Sequence, residues 1–589
     1  MKKFLSLLLV LVMVCSLLAS CSTTPATPAG PTAEPSNEPA AEPAEEPADE
    51  PTAEPVDEPA DEPDEPAESA APAADEESID ANDPQSIIKA GNILTFAENI
   101  ENYPNEVALP LADEMTTLEC WFPWGGVYTA VIPTPNDTAG QKKAEERTNV
   151  HIEWELANDA AVQFPLMLAS QDYTDFYVSS SNMDQLANYA DDDIIVDLTD
   201  IIPVFAPNYN AVRMDDPDLV RRSTTDDGRL LAINNFLTVR SVTWLGHITR
   251  ADWLNGRDPV TYDDLHDVLV SYRDEQNCPA PLNISADGQD KFFMSGFDVG
   301  PSWIVLDGQV EHSITQPGYK QYLDLMHQWY SEGLIDSEFY GRMGVGFGSD
   351  LVLNGGIGMW SHGYQWMEST EKQSSEPNYS LIGVRPPVQE EGDIRKIGLS
   401  SQNTRFDARY AAIFSTCKDI ELAVKYFDYW WTTEGAMLSI YGIENESYYI
   451  DENGIPQFTD IILHPQQEGI SCWQARLPYI AETWPTITDW TRDMKAGMTE
   501  NSLKSVALWD YNWEDSISMP TVTMTAEEAE DYSFVMSDIE TRINESIAKF
   551  ITGEKSLDEW DSFVDELRVM GLDDARDIQQ AAYNRFMAR

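Results

Sequence analysis

The chain has 589 residues, and its 102 acidic against 36 basic side chains give a formal charge of −66. Such a charge repels phosphate backbones and anionic lipid headgroups, which argues against nucleic acid as a partner and against electrostatic docking on a membrane. The 42% hydrophobic content and the 17 Trp residues exclude a wholly disordered chain, and the length suffices for two domains or one large two-lobed protein.

Residues 1–20 have the features of a secretory signal peptide. Two lysines precede the apolar run 4–18, which is short for a membrane span and ends in small residues. Leu18-Ala19-Ser20-Cys21 resembles the bacterial lipobox, and this resemblance implies that diacylglycerol is attached to Cys21. The alternatives are an uncleaved membrane span and ordinary cleavage beside a spare cysteine.

An acidic, proline-rich tract follows Cys21. Residues 22–85 contain 20 acidic residues, 14 prolines and no Lys or Arg. Recurrent proline forbids a continuous helix, and like charges extend the chain, so 21–85 is predicted to be a disordered linker that reaches about 200 Å at full stretch. An acidic tail that recruits a basic partner is the alternative. The remaining body, 86–589, has 82 acidic and 34 basic residues, a formal charge of −48.

From about Met115 onward, short apolar strands alternate with amphipathic helices, which predicts an α/β body. The first predicted elements are strand 117–122, helix 136–148, strand 150–154 and strand 175–178. Strand, helix and strand in this order form parallel units, whose ligands collect at the carboxyl ends of the strands. A second set begins near residue 242, and its predicted elements are helix 261–272 capped by Thr261, helix 318–333, helix 349–353, strand 355–360, and helices 420–432, 525–553, 557–570 and 573–586.

The cysteines and acidic clusters predict neither a zinc nor a calcium site. Cys120, Cys278, Cys417 and Cys472 are widely spaced, so isolated thiols and three disulfide pairings all remain open. The acidic stretches at 191–193 and 451–454 lack full EF-hand spacing. Phosphate-binding loops, nucleophile elbows and zinc-protease motifs are missing from the sequence, and no metal or cofactor is predicted.

Several phrases in the body resemble one protein family in order and spacing. They lie at 168–175, 250–254, 330–336, 358–360, 441–448 and 550–560. Across about 115–589 the chain resembles the family 1 extracellular solute-binding proteins of ABC transporters, in the large Gram-positive lipoprotein branch associated with saccharide uptake. The resemblance implies a two-lobed, periplasmic-binding-protein-like type II fold with a hinge. Lobe 1 is expected at about 115–240 plus 400–445, and lobe 2 at about 241–399 plus 446–589. Some members of the branch carry a calcium loop after the helix that ends here near Tyr272, but residues 273–279 lack its pattern.

The resemblance also implies a ligand cleft that uses aromatic faces and hydrogen-bonding groups. Trp360, at the end of a glycine-rich strand, is predicted as an aromatic platform, with Tyr364 and Trp366 as secondary candidates. Trp124 and the pair Ser181 and Asn182 follow the first and third strands, where ligands collect. The alternative for Trp360 is packing at the sheet end, for Tyr364 packing in the core, and for Trp124 a loop anchor in the lobe surface.

Four further candidates complete the predicted site. Trp244 lies near the first expected hinge crossing. Trp473, like nearby Trp484, lies in a region that can border the cleft, and core packing is the favoured interpretation of both. Arg250 is predicted either to contact ligand or to form a helix cap or interlobe salt bridge. Glu446 is predicted as a ligand contact; together with Glu444 it resembles the paired carboxylates of a glycosidase, but spacing along the chain does not establish the separation that hydrolysis needs.

These features predict a lipid-anchored, extracellular, monomeric binding protein of an ABC importer, and not an enzyme. Its expected partners are an oligosaccharide and the transmembrane permease subunits. The alternatives are a cell-surface glycan-active enzyme and a two-lobed sensor or adhesion protein.

Overall fold

The computed structural model describes residues 84–126, 128–240, 243–342, 349–399, 404–467, 470–481, 485–496, 498–509 and 515–589. The predicted signal peptide, Cys21 and nearly all of the acidic linker lie outside these residues.

The first part of the described chain leads into a large sheet. Its helices and strands are α1 (Pro84–Ala90), α2 (Ile93–Phe96), β1 (Thr116–Pro123), α3 (Ala139–Thr148), β2 (Val150–Ala157), α4 (Ala160–Ser170), β3 (Phe176–Ser179), α5 (Leu186–Asp191), α6 (Ile202–Phe205), α7 (Pro207–Asp215), α8 (Pro217–Ser223) and β4 (Ile233–Leu237). The three strands predicted here are confirmed within two or three residues at each end. The sequence prediction missed α4, which contains Pro165, and the short elements after β3.

The middle of the chain builds a second, smaller sheet. Its elements are β5 (Leu245–Arg250), α9 (Ala251–Leu254), α10 (Tyr262–Asp274), β6 (Ala280–Leu282), α11 (Lys291–Met294), β7 (Trp303–Leu306), β8 (Gln309–His312), α12 (Pro317–Ser331), α13 (Asp350–Leu353), β9 (Ile357–Gly363), α14 (Met367–Gln373) and β10 (Leu381–Gly383). Thr261 caps α10 by accepting a hydrogen bond from the Asp264 amide, as predicted.

The last part returns to the first sheet and then adds helices to the second. Its elements are β11 (Phe406–Ile413), α15 (Ile420–Tyr429), α16 (Thr433–Ile440), β12 (Tyr448–Ile450), β13 (Pro456–Phe458), α17 (Asp460–Leu463), α18 (Cys472–Arg476), β14 (Ile487–Thr488), α19 (Arg492–Lys495), α20 (Glu500–Trp509), α21 (Ala526–Thr552), α22 (Trp560–Val569) and α23 (Leu572–Ala588). The predicted long helix α21 is confirmed; a capping box at Thr525 begins it and left-handed Gly553 ends it.

Sheet 1 has the strand order β14-β4-β11-β3-β1-β2. β1 pairs in parallel with β2 and β3, as the strand–helix–strand order predicts, whereas β11 runs antiparallel to β3 and β4. Successive β1 side chains enter different hydrophobic layers: Cys120 and Phe122 pack in one layer and Trp121 in the other. Sheet 1 is therefore buried on both faces, and its packing is called core 1 below.

Sheet 2 has the order β10-β5-β9-β6. Its hydrophobic cluster, called core 2, includes residues of α10, α12, α20, α21 and α22. Tyr319 of α12 stacks on Trp560 of α22 with ring centres 5.5 Å apart, which joins the late helices to the middle of the chain. Lobe 1 is used here for sheet 1 with core 1, and lobe 2 for sheet 2 with core 2.

The chain passes between the lobes at three crossings: from β4 to β5, from β10 to β11, and from β14 to α20. The predicted lobe boundaries differ from the packing in one region. Tyr448, Phe458 and Ile487 pack in core 1, although 446–589 was assigned to lobe 2. This region packs in lobe 1 because β14 pairs with β4, a strand far away in the sequence, at the edge of sheet 1.

The segment 84–96 forms an additional connection, here called the strap. Ile87 and Ile88 pack in core 2, whereas Ile93 and Phe96 pack in core 1. The strap also contacts all three crossings. The Thr238 hydroxyl donates to the Gly91 carbonyl at 2.9 Å, Arg405 lies 5.2 Å from the centre of the Phe96 ring, and Gly91 lies directly against Thr491.

Candidate ligand-binding cleft

Aromatic cluster 1, formed by Trp124, Tyr128 and Trp473, lies beyond the carboxyl end of β1. Trp124 is buried and donates from Nε1 to the Pro133 carbonyl at 3.2 Å. Its ring stacks on Tyr128 at 4.5 Å, and Tyr128 meets the edge of Trp473 at 5.5 Å. Trp124 therefore supports the cluster from beneath, while Tyr128 and Trp473 are half-buried. Sequence reasoning missed Tyr128, although its position four residues after Trp124 was a usable signal.

Polar groups lie just beyond the carboxyl end of β3. Ser181 and Asn182 are exposed, and the Tyr410 hydroxyl donates to the Ser181 carbonyl at 2.6 Å. Asn182 adopts a left-handed conformation with φ of 60°, which asparagine tolerates better than most residues. The structure thus places both predicted residues at the strand ends, with accessible side chains.

A β-bulge brings an ion pair to the same edge of sheet 1. Tyr410 of β11 is level with Ser179, the last residue of β3, so residues 406–409 extend beyond that end. The register of β11 shifts between Asp407 and Tyr410. Arg409 contacts Asp407 with Nη2–Oδ2 at 2.5 Å, and although burial acts to raise the pKa of Asp407, Arg409 holds it below its ordinary value. Sequence reasoning missed this pair, because a bulge depends on pairing between distant segments.

Aromatic cluster 2, formed by Trp244 and Trp366, lies where β5 begins and β9 ends. The two rings meet edge to face at 5.8 Å, and Trp244 is 36% exposed. A Cβ on Gly363 would lie 2.5 Å from ring carbons of Trp366, so the strand end requires glycine for this ring position. The predicted residue Trp244 is therefore accessible here, next to a tryptophan that the sequence prediction ranked lower.

Trp360 and Tyr364 are placed differently from the prediction. Trp360 is fully buried in core 2, and its Nε1 has no hydrogen-bond acceptor among the described residues. Tyr364 is 4% exposed, and burial raises the pKa of its phenol. The physical reason is that β9 is covered on both faces, so its aromatic side chains pack inward. Direct ligand contact by Trp360 or Tyr364 stays a prediction, and the burial of both side chains argues against it.

Arg250 is also buried. It forms two hydrogen bonds to the Asp252 carboxylate at 2.9 and 2.7 Å, and its guanidinium lies between Trp253 at 4.9 Å and Tyr379 at 4.6 Å. Arg250 ends β5, whereas Trp244 precedes the start of that strand. The structure therefore does not bring Arg250 to aromatic cluster 2, and its salt bridge is local rather than interlobe.

Glu446 is exposed in the turn before β12, where its carbonyl accepts a hydrogen bond from the Thr459 hydroxyl at 2.7 Å. The neighbouring Glu444 lines a surface groove beside α3 and α16. Trp484, another aromatic residue considered from the sequence, lies outside the described residues.

The two aromatic clusters lie on elements that approach each other from the two lobes. Burial raises the pKa of the Cys472 thiol on α18, and the charge of Glu368 on α14 raises it further. Trp473 adjoins Cys472, and Trp366 immediately precedes α14. Trp473 thus belongs to an element of lobe 1 and Trp366 to an element of lobe 2, and the region between α18 and α14 is called the cleft below.

The arrangement offers reversible binding chemistry. Aromatic faces are suited to pack against the C–H surfaces of a ligand, and Ser181, Asn182 and the bulge residues carry groups able to form hydrogen bonds. The described parts of the chain contain no group of three His, Cys, Asp or Glu side chains that forms a metal site. Cys120, Cys278, Cys417 and Cys472 are free thiols.

Known proteins resemble this chain over most of its length. The fructooligosaccharide ABC transporter substrate-binding protein FusA of Streptococcus pneumoniae serotype 4 is 22% identical over 492 residues, which cover 77% of this chain and 88% of that protein. Its structure matches FusA in complex with kestose with a TM-score of 0.64 at 19% identity, covering 80% of this chain and 100% of that one. The chain has the fold of the ABC-transporter solute-binding proteins. No model of a known protein family matches the sequence.

Two further solved structures share the fold. Alginate-binding protein AlgQ2 without calcium ion matches with a TM-score of 0.63 at 23% identity, covering 81% of this chain and 100% of that one. An HMO-binding, ABC-transporter-associated solute-binding protein from Bifidobacterium longum infantis matches with a TM-score of 0.63 at 15% identity, covering 81% and 99%. The resemblance and the two-lobed α/β fold predicted from the sequence are confirmed. Among the described residues, no helix is both long and apolar enough to cross a membrane.

Proposed function

We propose that this solute-binding protein captures an oligosaccharide in the cleft and delivers it to the permease of an ABC importer. The observation that carries the proposal is the pair of aromatic clusters on elements of different lobes that approach each other. Lobe movement about the crossings would bring both clusters onto one ligand, and contacts made only in the closed arrangement would shift the population toward closure. The curated relative, named as a fructooligosaccharide-binding protein, supports the same ligand class.

Within this proposal, Trp473 and Trp366 are the principal ligand contacts, with Tyr128 and Trp244 as neighbours. Ser181, Asn182 and the Asp407–Arg409 pair provide polar contacts for hydroxyl groups. Trp124 holds Tyr128 in place by stacking on it. The protein acts by binding without bond cleavage, which fits the binding proteins among its relatives.

The cleft can be tested by titrating oligosaccharides, including kestose and fructo-nystose, into the purified protein. Trp473→Ala and Trp366→Ala should each weaken binding of a ligand by about fivefold or more, because each loses an aromatic contact of roughly 1–3 kcal/mol. Phe534→Ala is the matched control, since Phe534 is an aromatic residue of α21 that is 83% exposed. Equal binding by all three variants would refute the assignment of the cleft.

We further propose that the protein is held at the extracellular face of the cell membrane by a lipid on Cys21, with the acidic linker separating the body from the membrane. Cys21→Ala should release the protein from the membrane fraction into the medium without changing its ligand affinity. Retention of the variant in the membrane fraction would contradict lipid anchoring.

A further inference from the structure

A groove on the flank of lobe 2 lies away from the cleft. It forms where α20 packs beside β10, and its volume is about 640 Å³, which lies within the range of about 300–1,000 Å³ typical of small-molecule sites. None of the residues that line the groove belongs to either aromatic cluster. It is therefore separate from the proposed oligosaccharide site.

The floor of this groove is apolar. Its apolar lining includes Leu254, Pro259, Ile382, Val384, Leu503 and Leu508. Neighbouring backbone groups already have partners: the Gly383 amide donates to the Ser505 hydroxyl at 2.7 Å, and the Val384 carbonyl accepts from Trp509 Nε1 at 3.1 Å. A saccharide would lose the hydrogen bonds of its hydroxyl groups against such a surface, whereas an alkyl chain would lose nothing.

Three cationic side chains line the groove beside two carboxylates, Asp258 and Glu500, in a body that has few cationic residues. Arg257, Arg385 and Lys504 all contribute to its wall, although 86–589 has 82 acidic and only 34 basic residues. Lys504 is paired with Glu500 at 2.7 Å. The two arginines are different, and their contacts indicate what kind of ligand fits.

Arg257 is held only by neutral acceptors. Its guanidinium donates to the carbonyls of Leu254 at 3.0 Å and Trp253 at 3.1 Å, and to the Ser271 hydroxyl at 2.8 Å. Among the described residues, no carboxylate lies within ion-pair distance of Arg257. These contacts fix the position of the guanidinium without neutralising its charge, so the charge remains available to an anion.

Arg385 is also incompletely paired. Its Nη2 lies 3.5 Å from Asp258 Oδ2, a distance longer than a normal charged hydrogen bond. Its Nε is buried and has no acceptor within the described ranges. A buried donor without an acceptor costs free energy that an anionic ligand group would recover.

We propose that the groove is a second binding site, which takes a single-chain amphiphile with an anionic head. The alkyl chain lies along the apolar floor, and the carboxylate of the ligand accepts hydrogen bonds from Arg257 and Arg385. This site is independent of oligosaccharide binding, because it shares no residue with the two aromatic clusters.

Decanoate is the probe that tests the site, titrated below its micelle concentration into the purified protein by calorimetry. Saturable binding of one decanoate per protein is expected. Octanoate should bind about tenfold more weakly, because two methylene groups leave the apolar floor. Decyltrimethylammonium, which has the same chain and the opposite charge, should bind at least tenfold more weakly than decanoate. Failure of decanoate to bind, or equal affinity for both amphiphiles, would overturn the proposal.

Two variants locate the binding. Ala507→Trp places a large ring in the groove and should abolish decanoate binding, since Ala507 lines it. Arg257→Gln should weaken decanoate at least fivefold without weakening decyltrimethylammonium, because the substitution removes a positive charge. Arg568→Gln, which removes an exposed arginine of α22 paired with Asp565, is the matched control and should bind as the parent does.

Loss of the amphiphile site and loss of oligosaccharide binding can be told apart by experiment. Ala507→Trp should leave oligosaccharide binding in the cleft unchanged, so each site can be lost without the other. If Arg257→Gln does not fold, as judged by circular dichroism, Ala507→Trp and the comparison of head-group charge still decide. Decanoate binding that survives Ala507→Trp would show that the amphiphile binds elsewhere and would refute the site.

Discussion

The strap provides a sharp test of how the lobes are joined. Gly91 lies between its two anchors, and a Cβ built on this residue would lie 2.6 Å from Thr491 Cγ2 and 3.3 Å from Asp489 Oδ1. An ordinary contact between such carbons is about 3.5–4.0 Å, so Gly91→Ala overlaps Thr491 by about 1 Å. Overpacking of this size costs about 1–3 kcal/mol, and we expect the free energy of unfolding to fall by that amount.

A second substitution separates this steric clash from other effects of alanine. Thr491→Ser removes the methyl group that the new Cβ would strike and keeps the hydroxyl that bonds Asp489. In urea denaturation, the double variant should recover at least about 1 kcal/mol relative to the sum of the single changes. Because the strap contacts all three crossings, Gly91→Ala should also alter ligand affinity, and Thr491→Ser should restore it.

Gly300→Ala is the matched control for this cycle. A Cβ at Gly300 would meet only ordinary contacts, at 3.8 and 3.9 Å from Ile397, so its effect should stay within about 0.5 kcal/mol. The reasoning would be refuted if Gly91→Ala changes stability no more than Gly300→Ala, or if Thr491→Ser fails to rescue it.

Two buried groups predict opposite dependences of stability on pH. Burial raises the pKa of Asp428 from 3.8 to about 7. Between these pH values the folded state binds a proton that the unfolded state has released. The free energy of unfolding therefore falls by about 4 kcal/mol as the pH rises through this window. In urea denaturation, Asp428→Asn should remove this loss and stabilise the protein at pH 8 but not at pH 4. Asp324→Asn, at an exposed residue, is the control. Equal effects of Asp428→Asn at both pH values would contradict the prediction. Burial lowers the pKa of His312 from 6.5 to about 4, so the unfolded state holds the extra proton and stability falls as pH drops through this window. His312→Asn should flatten that acid loss, and an unchanged slope between pH 4 and 6.5 would count against it.

Local sequence signals predicted the long elements of the fold well. Thr261 and Thr525 begin helices with capping boxes, and Gly553 ends one in the left-handed conformation that glycine favours. These signals act within a single turn, so they can be recognised without tertiary information. By contrast, β10 and β14 are only three and two residues long and owe their existence to neighbouring strands.

The candidate site was harder to predict, because it depends on which face each side chain presents. Trp360 follows a glycine-rich stretch that pointed to an aromatic platform, but β9 is covered on both faces and the ring packs inside. Tyr128 and the Asp407–Arg409 pair were missed, since their positions depend on a loop and on a bulge. Trp244 and Trp473 were identified as candidates, and the structure places each in one of the aromatic clusters.

The central claim is that the two lobes bind an oligosaccharide without cleaving it. The most direct measurement is calorimetric titration of an oligosaccharide panel into the purified protein, followed by chromatography of the recovered sugar. The account predicts saturable binding of one molecule per protein for at least one oligosaccharide, with the sugar recovered intact. Shortened products that vanish in Glu444→Gln or Glu446→Gln, or no binding across the panel, would contradict it.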